Sequence, residues 1–507
     1  MLSRVLGLVR EVAYARFMGN SWVADAFALA FAVPNLFRRL LGEGALTAAF
    51  IPIFKSKEKT EGEQSMWQAA NAVISGLVAS ASVLVLLGVL GISAALALGI
   101  IEDGKTLLML KLLRVMLPYL LLVCLAAVLM GMLNSRGHFF IPAMGATMLN
   151  VVMILSVGIS LWLGEHNHWR LEQQIFGLAI GVVIAGIAQA AFQIPLLRKE
   201  GFRYKWSGPW KDPTVRQVVM RMIPGSIGVA AFQINVLLTQ GLAFGVDDGV
   251  IATYNYAVRL MELPQGVFGI SMAAILLPAL SGLAAEKKYL EFRATLGQGL
   301  NWLVFINLLA SVLLMTLAEP MIRLIFERGR FDEEATIASA LVLKFLAPGL
   351  VAFSVVNVLA RAFYALGDIK TPMWISIFCL TTNLIITAAI IWRYKQAGMG
   401  FANSLTAAMN VSLLLYALRR KLKTLELTEL RRHLTVLLGA ATLAGLVAWW
   451  LARWWGANLG HSNLLLKMGE VFVPMTAASL VYFGVAAVFK TGHVNDMLGM
   501  FRSRLGR

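Results

Sequence analysis

Residues 67–100 read WQAANAVISGLVASASVLVLLGVLGISAALALGI, a stretch without one charged side chain. A helix needs about 20 apolar residues to cross the hydrocarbon core of a bilayer, so this stretch is long enough to span it. The chain as a whole has 507 residues, of which 59% are hydrophobic and 14% charged. Soluble proteins carry about 25% charged residues. The composition excludes a soluble globular enzyme and predicts an all-α polytopic membrane protein.

Similar apolar stretches recur along the rest of the chain and predict about 14 transmembrane helices, at roughly 20 residues each. The predicted segments are residues 1–18, 22–53, 67–100, 107–134, 140–163, 174–197, 217–245, 250–284, 298–318, 335–366, 371–392, 398–418, 433–453 and 466–489.

Basic residues concentrate in alternate connections between these segments. Lys55, Lys57 and Lys59 follow the second segment, and residues 419–423 carry four more basic side chains after the twelfth. Cytoplasmic loops of membrane proteins are enriched in Lys and Arg, so both termini are predicted to be cytoplasmic. The net charge of +17 is therefore a property of the loops and does not indicate a nucleic-acid partner.

The sequence also contains an internal repeat. Pro118 and Gly137 match Pro348 and Gly367, both at an offset of 230 residues. The offset spans six segments, so the two halves have the same orientation and are predicted to form parallel lobes with the substrate path between them. The predicted parts are an N-terminal six-helix lobe (1–200), a C-terminal six-helix lobe (201–425), and two extra helices with a basic tail (426–507).

Ionisable residues inside the predicted spans are the most informative feature for function. A charged side chain at the centre of a spanning helix costs about 2.5–3.5 kcal/mol, so such residues are expected to line water or to pair. The first, second and eighth segments give the cases on which the functional argument depends. The residues are Arg4, Arg10, Glu11 and Arg16, then Asp25, Arg38, Arg39 and Glu43, and finally Arg259 and Glu262.

The helical wheel gives only part of the geometry of the second segment. On an ideal helix Asp25, Asn35, Arg39 and Glu43 fall within one stripe, and Arg38 points elsewhere. Pro34 interrupts that helix, however, so the wheel cannot choose between the two arginines.

A surplus of arginine in a water-filled cavity predicts an anionic substrate, because guanidinium stays charged and its fork of donors fits phosphate oxygens. The alternative is that these residues form structural ion pairs. Those pairs would be Arg259 with Glu262, Arg38 or Arg39 with Glu43, and Arg10 with Glu11.

Three sequence blocks closely resemble the MviN/MurJ family. They are SRVLGLVR at 3–10, ADAF at 24–27 with PNLFRR at 34–39, and YAVRLMELPQG at 256–266. Members of this family are lipid II flippases of bacterial peptidoglycan synthesis, in the multidrug/oligosaccharidyl-lipid/polysaccharide exporter superfamily. The likeness covers nearly the whole chain.

The resemblance implies two six-helix lobes around a V-shaped cavity, with a final helix pair that guides the lipid tail. It also implies a transporter and no enzyme, in the bacterial cytoplasmic membrane, with no cofactor. Some relatives bind sodium through acids on the seventh and eleventh spans, but here those spans offer Asn235, Thr381, Thr382 and Asn383 and no carboxylate, so no metal site is expected. The expected partners are lipid II and membrane lipids, with cell-wall synthesis proteins as further candidates. The family's cavity residues fall on Arg4, Arg10, Asp25, Asn35, Arg38, Glu43, Arg259 and Glu262, and Arg39 is kept as second choice to Arg38.

The resulting hypothesis is that Arg10, Arg38 and Arg259 draw the diphosphate of lipid II, while Asp25 and Glu262 hold the arginines in place. The nearest alternative is a flippase for another prenyl-diphosphate-linked glycan. A cationic-drug antiporter would need an acidic cavity, and a membrane-embedded transferase would need an acidic cluster for a metal. A scaffold without transport has no need of arginines inside the spans.

Overall fold

The computed structural model describes residues 2–40, 46–426 and 428–489. Within these residues the chain is helical between short connections and contains no strand. It divides into two compact units, Met1–Ala252 and Thr253–Arg507.

The first unit holds ten helices. They are α1 (Leu2–Met18), α2 (Trp22–Phe37), α3 (Leu46–Glu61), α4 (Glu63–Ala97), α5 (Gly104–Met116), α6 (Pro118–Ser135), α7 (Phe140–Asn167), α8 (Leu171–Ala191), α9 (Ile194–Lys199) and α10 (Pro213–Phe244). Because α10 packs against α2, α3 and α4, the unit ends later in the chain than the predicted lobe boundary after residue 200. That boundary rests on the repeat and stays a prediction.

The second unit holds most of α11 and all of the helices after it. They are α11 (Val250–Pro264), a π-helical turn (Gln265–Ile270), α12 (Ser271–Ala285), α13 (Tyr289–Thr316), α14 (Ala318–Phe326), α15 (Glu333–Leu346), α16 (Gly349–Ala365), α17 (Lys370–Leu422), α18 (Thr428–Asn458) and α19 (Leu464–Val488). The long α17 contains a kink at Lys395, where the backbone leaves helical geometry.

The predicted apolar segments all coincide with helices in the described part of the chain, which confirms the all-α membrane fold. Nine of the described helices are long and apolar enough to cross a bilayer, or ten if α15 and α16, bent by 49°, form one span. The exact number of fourteen spans stays a prediction.

The two members of the sequence repeat adopt the same local structure. A proline marks the break between α5 and α6 and between α15 and α16, at Pro118 and Pro348. Gly137 and Gly367 then end α6 and α16 with φ of 86° and 73°, values that favour glycine. The next helices, α7 and α17, begin 230 residues apart, so the sequence match reflects a structural repeat.

Small side chains fasten the last two helices to the second unit. A row of buried alanines lets α18 approach α13 closely, as membrane helices often do. The row consists of Ala440, Ala441, Ala444 and Ala448. Tyr482 on α19 is fully buried, and its hydroxyl donates to the Phe305 carbonyl oxygen at 2.9 Å.

A buried ion pair adds to this attachment. Arg323 of α14 and Glu470 of α19 are each about 95% buried, and Arg323 Nη1 lies 3.2 Å from Glu470 Oε1. Arg323 also contacts Glu319 at 2.7 Å and Glu327 at 3.4 Å. Charges inside an apolar chain thus occur in compensated groups, and this group ties α19 to the short helix before α15.

A second group of charges joins the α3–α4, α6–α7 and α9–α10 connections of the first unit. The Arg136 guanidinium bonds Glu58, Glu63 and Glu200, the last at 2.9 Å. His138 Nε2 lies 2.9 Å from the other oxygen of Glu200. Hydrogen bonds from His138 and Arg136 hold the pKa of Glu200 below its ordinary value, so this carboxylate is charged at neutral pH.

We expect Gly137→Ala and Gly367→Ala each to lower the free energy of unfolding by about 1–2 kcal/mol, because a side chain disfavours positive φ. No atom lies within 4 Å of the added Cβ at either site, so the loss would come from the backbone alone. Gly158→Ala is the control, since its Cβ also meets open space and its φ is not positive. Thermal denaturation of the purified chain tests this. If Gly367→Ala were as stable as Gly158→Ala, the explanation would be wrong.

Candidate functional site

Asp25 lies at the beginning of α2 and not at its centre. Ser21 caps this helix, and its hydroxyl accepts a hydrogen bond from the Ala24 N–H at 3.3 Å. Asp25 is in the first turn, where the helix dipole favours an anion, and it is fully buried. The sequence predicted a charge inside a span, whereas the structure places this carboxylate at a helix end.

The cation beside Asp25 is Lys105, at the beginning of α5. Lys105 Nζ lies 3.1 Å from Asp25 Oδ2, and Asp25 Oδ1 accepts from the Ala252 N–H at 2.9 Å. The prediction that Asp25 holds an arginine in place is therefore wrong for the structure described here. Asp25 instead joins α2 to α5 and to the beginning of α11.

Lys105 also binds the connection between α10 and α11. Its Nζ donates to the carbonyl oxygens of Phe244 at 3.2 Å and Asp247 at 3.0 Å, and lies 3.2 Å from Asp248 Oδ1. The ammonium also lies 4.7 Å from the centre of the Phe244 ring, a cation–π distance. This lysine was not among the predicted site residues, because it lies in the short connection between two apolar segments, at residues 102–105.

Arg10 forms the ion pair that the sequence left as an alternative. Its Nη2 lies 2.6 Å from Glu11 Oε1, and both side chains are largely buried. The guanidinium also lies over the Tyr14 ring at 5.4 Å. Arg4, one and a half turns earlier on α1, is exposed.

Arg38 and Asn35, both predicted site residues, contact each other at the end of α2. Arg38 Nε donates to Asn35 Oδ1 at 2.8 Å. Arg38 and Arg39 are both half-buried and lie in a π-helical turn at residues 38–40. Glu43 lies outside the described residues. The choice between Arg38 and Arg39 stays open.

The second unit contributes Arg259 and Glu262 on α11. Arg259 Nη1 lies 2.8 Å from Glu262 Oε2, which confirms the predicted pairing across one helical turn. On the same helix the Tyr254 hydroxyl accepts from Asn403 Nδ2 of α17 at 3.0 Å. The glutamate at 47% exposure and the arginine at 28% are accessible to a polar ligand.

Both charged segments lie beside a proline and a π-helical turn. In α2, Pro34 precedes the turn at 38–40, and in α11, Pro264 directly precedes Gln265–Ile270. A proline removes a backbone donor and clashes with the preceding turn, and a π-helical turn is a common response at functional sites. The two prolines were visible in the sequence, but the widened turns were not.

The second π-helical turn is held by a specific contact. A Cβ on Gly269 would come within 2.8 Å of Ser354 Oγ, and that hydroxyl donates to Asn307 Oδ1 at 3.3 Å. Only glycine permits this approach of the turn to α16. The contact therefore holds the π-helical turn that follows Arg259 and Glu262 against α16.

Among the described residues, no group of three His, Cys, Asp or Glu side chains has the arrangement of a metal site. The charged residues offer guanidinium and ammonium donors together with a few carboxylates. Guanidinium and ammonium donors of this kind can each bind and release an anion.

Comparison with known proteins gives the family. A model of the family described as "Lipid II flippase MurJ" matches residues 14–468. The chain belongs to the lipid II flippase MurJ family. The resemblance stated from the sequence blocks is thereby confirmed.

Two relatives illustrate the extent of the similarity. The probable lipid II flippase MurJ of Vibrio cholerae is 34% identical over 501 residues, covering 96% of this chain and 92% of the relative. The lipid II flippase MurJ of Burkholderia cenocepacia is 30% identical and covers 96% and 94%.

Solved structures share the fold. A structure titled lipid II flippase MurJ, inward closed conformation, has a TM-score of 0.78 at 22% identity and covers 97% of this chain and 98% of that one. An inward-facing multidrug resistance transporter of the MATE family has a TM-score of 0.67 at 14% identity, with coverages of 83% and 95%. At these identities the likeness concerns the fold alone.

We expect Lys105→Met to lower the free energy of unfolding by about 3 kcal/mol, because it leaves the buried Asp25 carboxylate without its cation. The double variant Lys105→Met/Asp25→Asn should recover part of this loss, since no buried charge then lacks a partner. Lys59→Met, at an exposed position of the same unit, is the matched control. Thermal denaturation in detergent measures all three, and a double variant no more stable than Lys105→Met would contradict the pairing.

Proposed function

We propose that this chain is a lipid II flippase of the bacterial cytoplasmic membrane. It moves undecaprenyl-diphosphate-linked disaccharide-pentapeptide from the inner to the outer leaflet by alternating access, and it is a transporter and no enzyme. The observation that carries this proposal is the family match over residues 14–468, together with relatives of the same name that match almost end to end.

The diphosphate is the part of the substrate that the chain's arginines fit. Arg10, Arg38 and Arg259 supply planar guanidinium donors, which bind phosphate oxygens in pairs. Arg10 and Arg259 already bond a carboxylate, Glu11 and Glu262 respectively. A diphosphate would compete with these carboxylates for the same donors. The exchange of one anion for another avoids leaving a guanidinium unpaired at any step.

The other predicted site residues take supporting roles in this proposal. Asn35 orients Arg38, as their 2.8 Å hydrogen bond indicates, and Arg39 lies in the same π-helical turn. Arg4 provides a further exposed positive charge at the beginning of α1. Asp25 joins helix ends through its ion pair with Lys105.

The widened turns after Pro34 and Pro264 give the two charged helices places to bend. Bending there would change the direction of Arg38 and of Arg259 without breaking the helices elsewhere. Each positive charge moved across the membrane potential contributes about 2.3 kcal/mol per 100 mV, so the potential can help to reset the transporter.

The proposed orientation rests on the basic connections, and the proposed partners rest on the family. Basic connections place both termini in the cytoplasm, and α18 and α19 guide the prenyl tail. Membrane lipids surround the chain, and proteins of cell-wall synthesis are further partners. A flippase for another prenyl-diphosphate-linked glycan is the nearest alternative, because the same arginines would bind its diphosphate.

Complementation in cells depleted of their own lipid II flippase tests this function. Outer-leaflet lipid II would be measured by its cleavage with an externally added toxin. Wild type should restore cleavage, and neutralisation of Arg10, Arg38 and Arg259 to Gln should lower it by about ten-fold or more, since a charge-assisted hydrogen bond contributes about 1.5–3 kcal/mol.

Arg361→Gln is the matched control, because Arg361 is an exposed arginine on α16 outside the proposed site. It should transport like wild type. Full-length wild type that reaches the membrane yet restores no outer-leaflet lipid II would contradict lipid II as substrate and favour the other prenyl-linked glycan. Active triple variants would overturn the assigned arginines.

A further inference from the structure

The connection between α9 and α10 has a fixed structure although it contains no α-helix. Residues 202–208 form no regular secondary structure, and a short 3-10 turn follows at Pro209–Lys211. We call residues 202–210 the basic strap. Its sequence, FRYKWSGPW, alternates basic and aromatic side chains over its first five residues.

Two buried side chains of α4 hold the backbone of the strap. Asn71 Nδ2 donates to the Arg203 carbonyl oxygen, and the Lys205 N–H donates to Asn71 Oδ1, both at 3.2 Å. The Asn71 amide thus pairs with one carbonyl oxygen and one N–H of the strap backbone, as a neighbouring β-strand would. Ser75, which is fully buried, accepts from the Ser207 N–H at 3.2 Å.

Aromatic packing anchors the beginning of the strap. Phe202 is buried in the core of the first unit, and its ring centre lies 5.5 Å from that of Trp67. Tyr204, two residues further, lies with its hydroxyl 3.3 Å from Ser75 Oγ. The strap backbone is therefore held against the first unit, and this fixes the positions from which its exposed side chains project.

The strap presents cations and indoles outward. Arg203 and Lys205 are both exposed, two residues apart in the strap. Trp206 and Trp210 are 62% and 79% exposed. Glu200, the nearest preceding acid, bonds Arg136 and His138.

This combination fits the surface of an anionic membrane. Indole rings favour the boundary between water and hydrocarbon, and basic side chains beside them attract negatively charged headgroups. An acidic protein partner would satisfy the cations, but it gives no reason for two indoles of such exposure. We propose that the basic strap binds the headgroup phosphates of anionic phospholipids, with Arg203 and Lys205 as the binding cations and Trp206 and Trp210 as anchors. This site is separate from the proposed transport function.

Quenching of tryptophan fluorescence by brominated lipids tests the proposal. The full chain would be reconstituted in vesicles with equal fractions of brominated phosphatidylglycerol or brominated phosphatidylcholine. The fluorescence of the strap tryptophans is the difference between the emission of the parent and that of the double variant Trp206→Phe/Trp210→Phe. Brominated phosphatidylglycerol should quench this contribution more strongly than brominated phosphatidylcholine does.

In the double variant Arg203→Gln/Lys205→Gln, half-maximal quenching should require a fraction of phosphatidylglycerol at least about five-fold higher than in the parent. Each basic residue at an anionic surface contributes about five-fold. The matched control is Arg328→Gln/Arg330→Gln, which neutralises two exposed arginines with the same spacing in another connection. This control should keep the preference for phosphatidylglycerol.

Equal quenching of the strap by the two lipids would overturn the proposal and leave an acidic protein as the partner of the cations. Absence of quenching by either lipid would also overturn it, because the strap would then lie away from the bilayer. An equal loss of preference in both double variants would show a general effect of charge and would likewise contradict the assigned site.

Discussion

The organisation of this protein depends on the cost of placing charge in an apolar environment. A lone charge within a spanning helix costs several kcal/mol, so a chain with many ionisable residues must pair them or place them at helix ends. Asp25 satisfies both conditions, because it lies in the first turn of α2 and contacts Lys105. Arg323 and Glu470 satisfy the first by a buried ion pair that also attaches α19. These charged residues therefore stabilise the fold, in addition to any role in transport.

Much of the fold could be predicted from the sequence, because long apolar stretches have few alternatives to a helix in a membrane. The repeat was also visible, and Pro118 and Pro348 do mark equivalent helix breaks. Ion pairs between neighbours, such as Arg259 with Glu262, follow from helical spacing. The partner of Asp25 could not be predicted, since Lys105 is eighty residues away and only tertiary packing brings them together.

The π-helical turns explain why the helical wheel could not choose between Arg38 and Arg39. A turn that contains extra residues rotates every later side chain relative to an ideal α-helix. Arg38 and Arg39 lie within such a turn at the end of α2, and Arg259 lies six residues before the one that follows α11. The same irregularity gives the charged segments a place to bend, so the feature that limits prediction is also the one that suits a transporter.

Paired arginines are proposed to bind a lipid-linked diphosphate, and binding to the purified chain is the measurement that tests this first. Native mass spectrometry would compare undecaprenyl diphosphate with undecaprenol, which has the same tail and no phosphate. The chain should bind undecaprenyl diphosphate at least about ten-fold more tightly than undecaprenol, because each guanidinium–phosphate contact contributes about 1.5–3 kcal/mol. This difference should be lost in Arg10→Gln/Arg259→Gln. Equal affinity for the two lipids, or an advantage of the diphosphate that survives in the double variant, would contradict it.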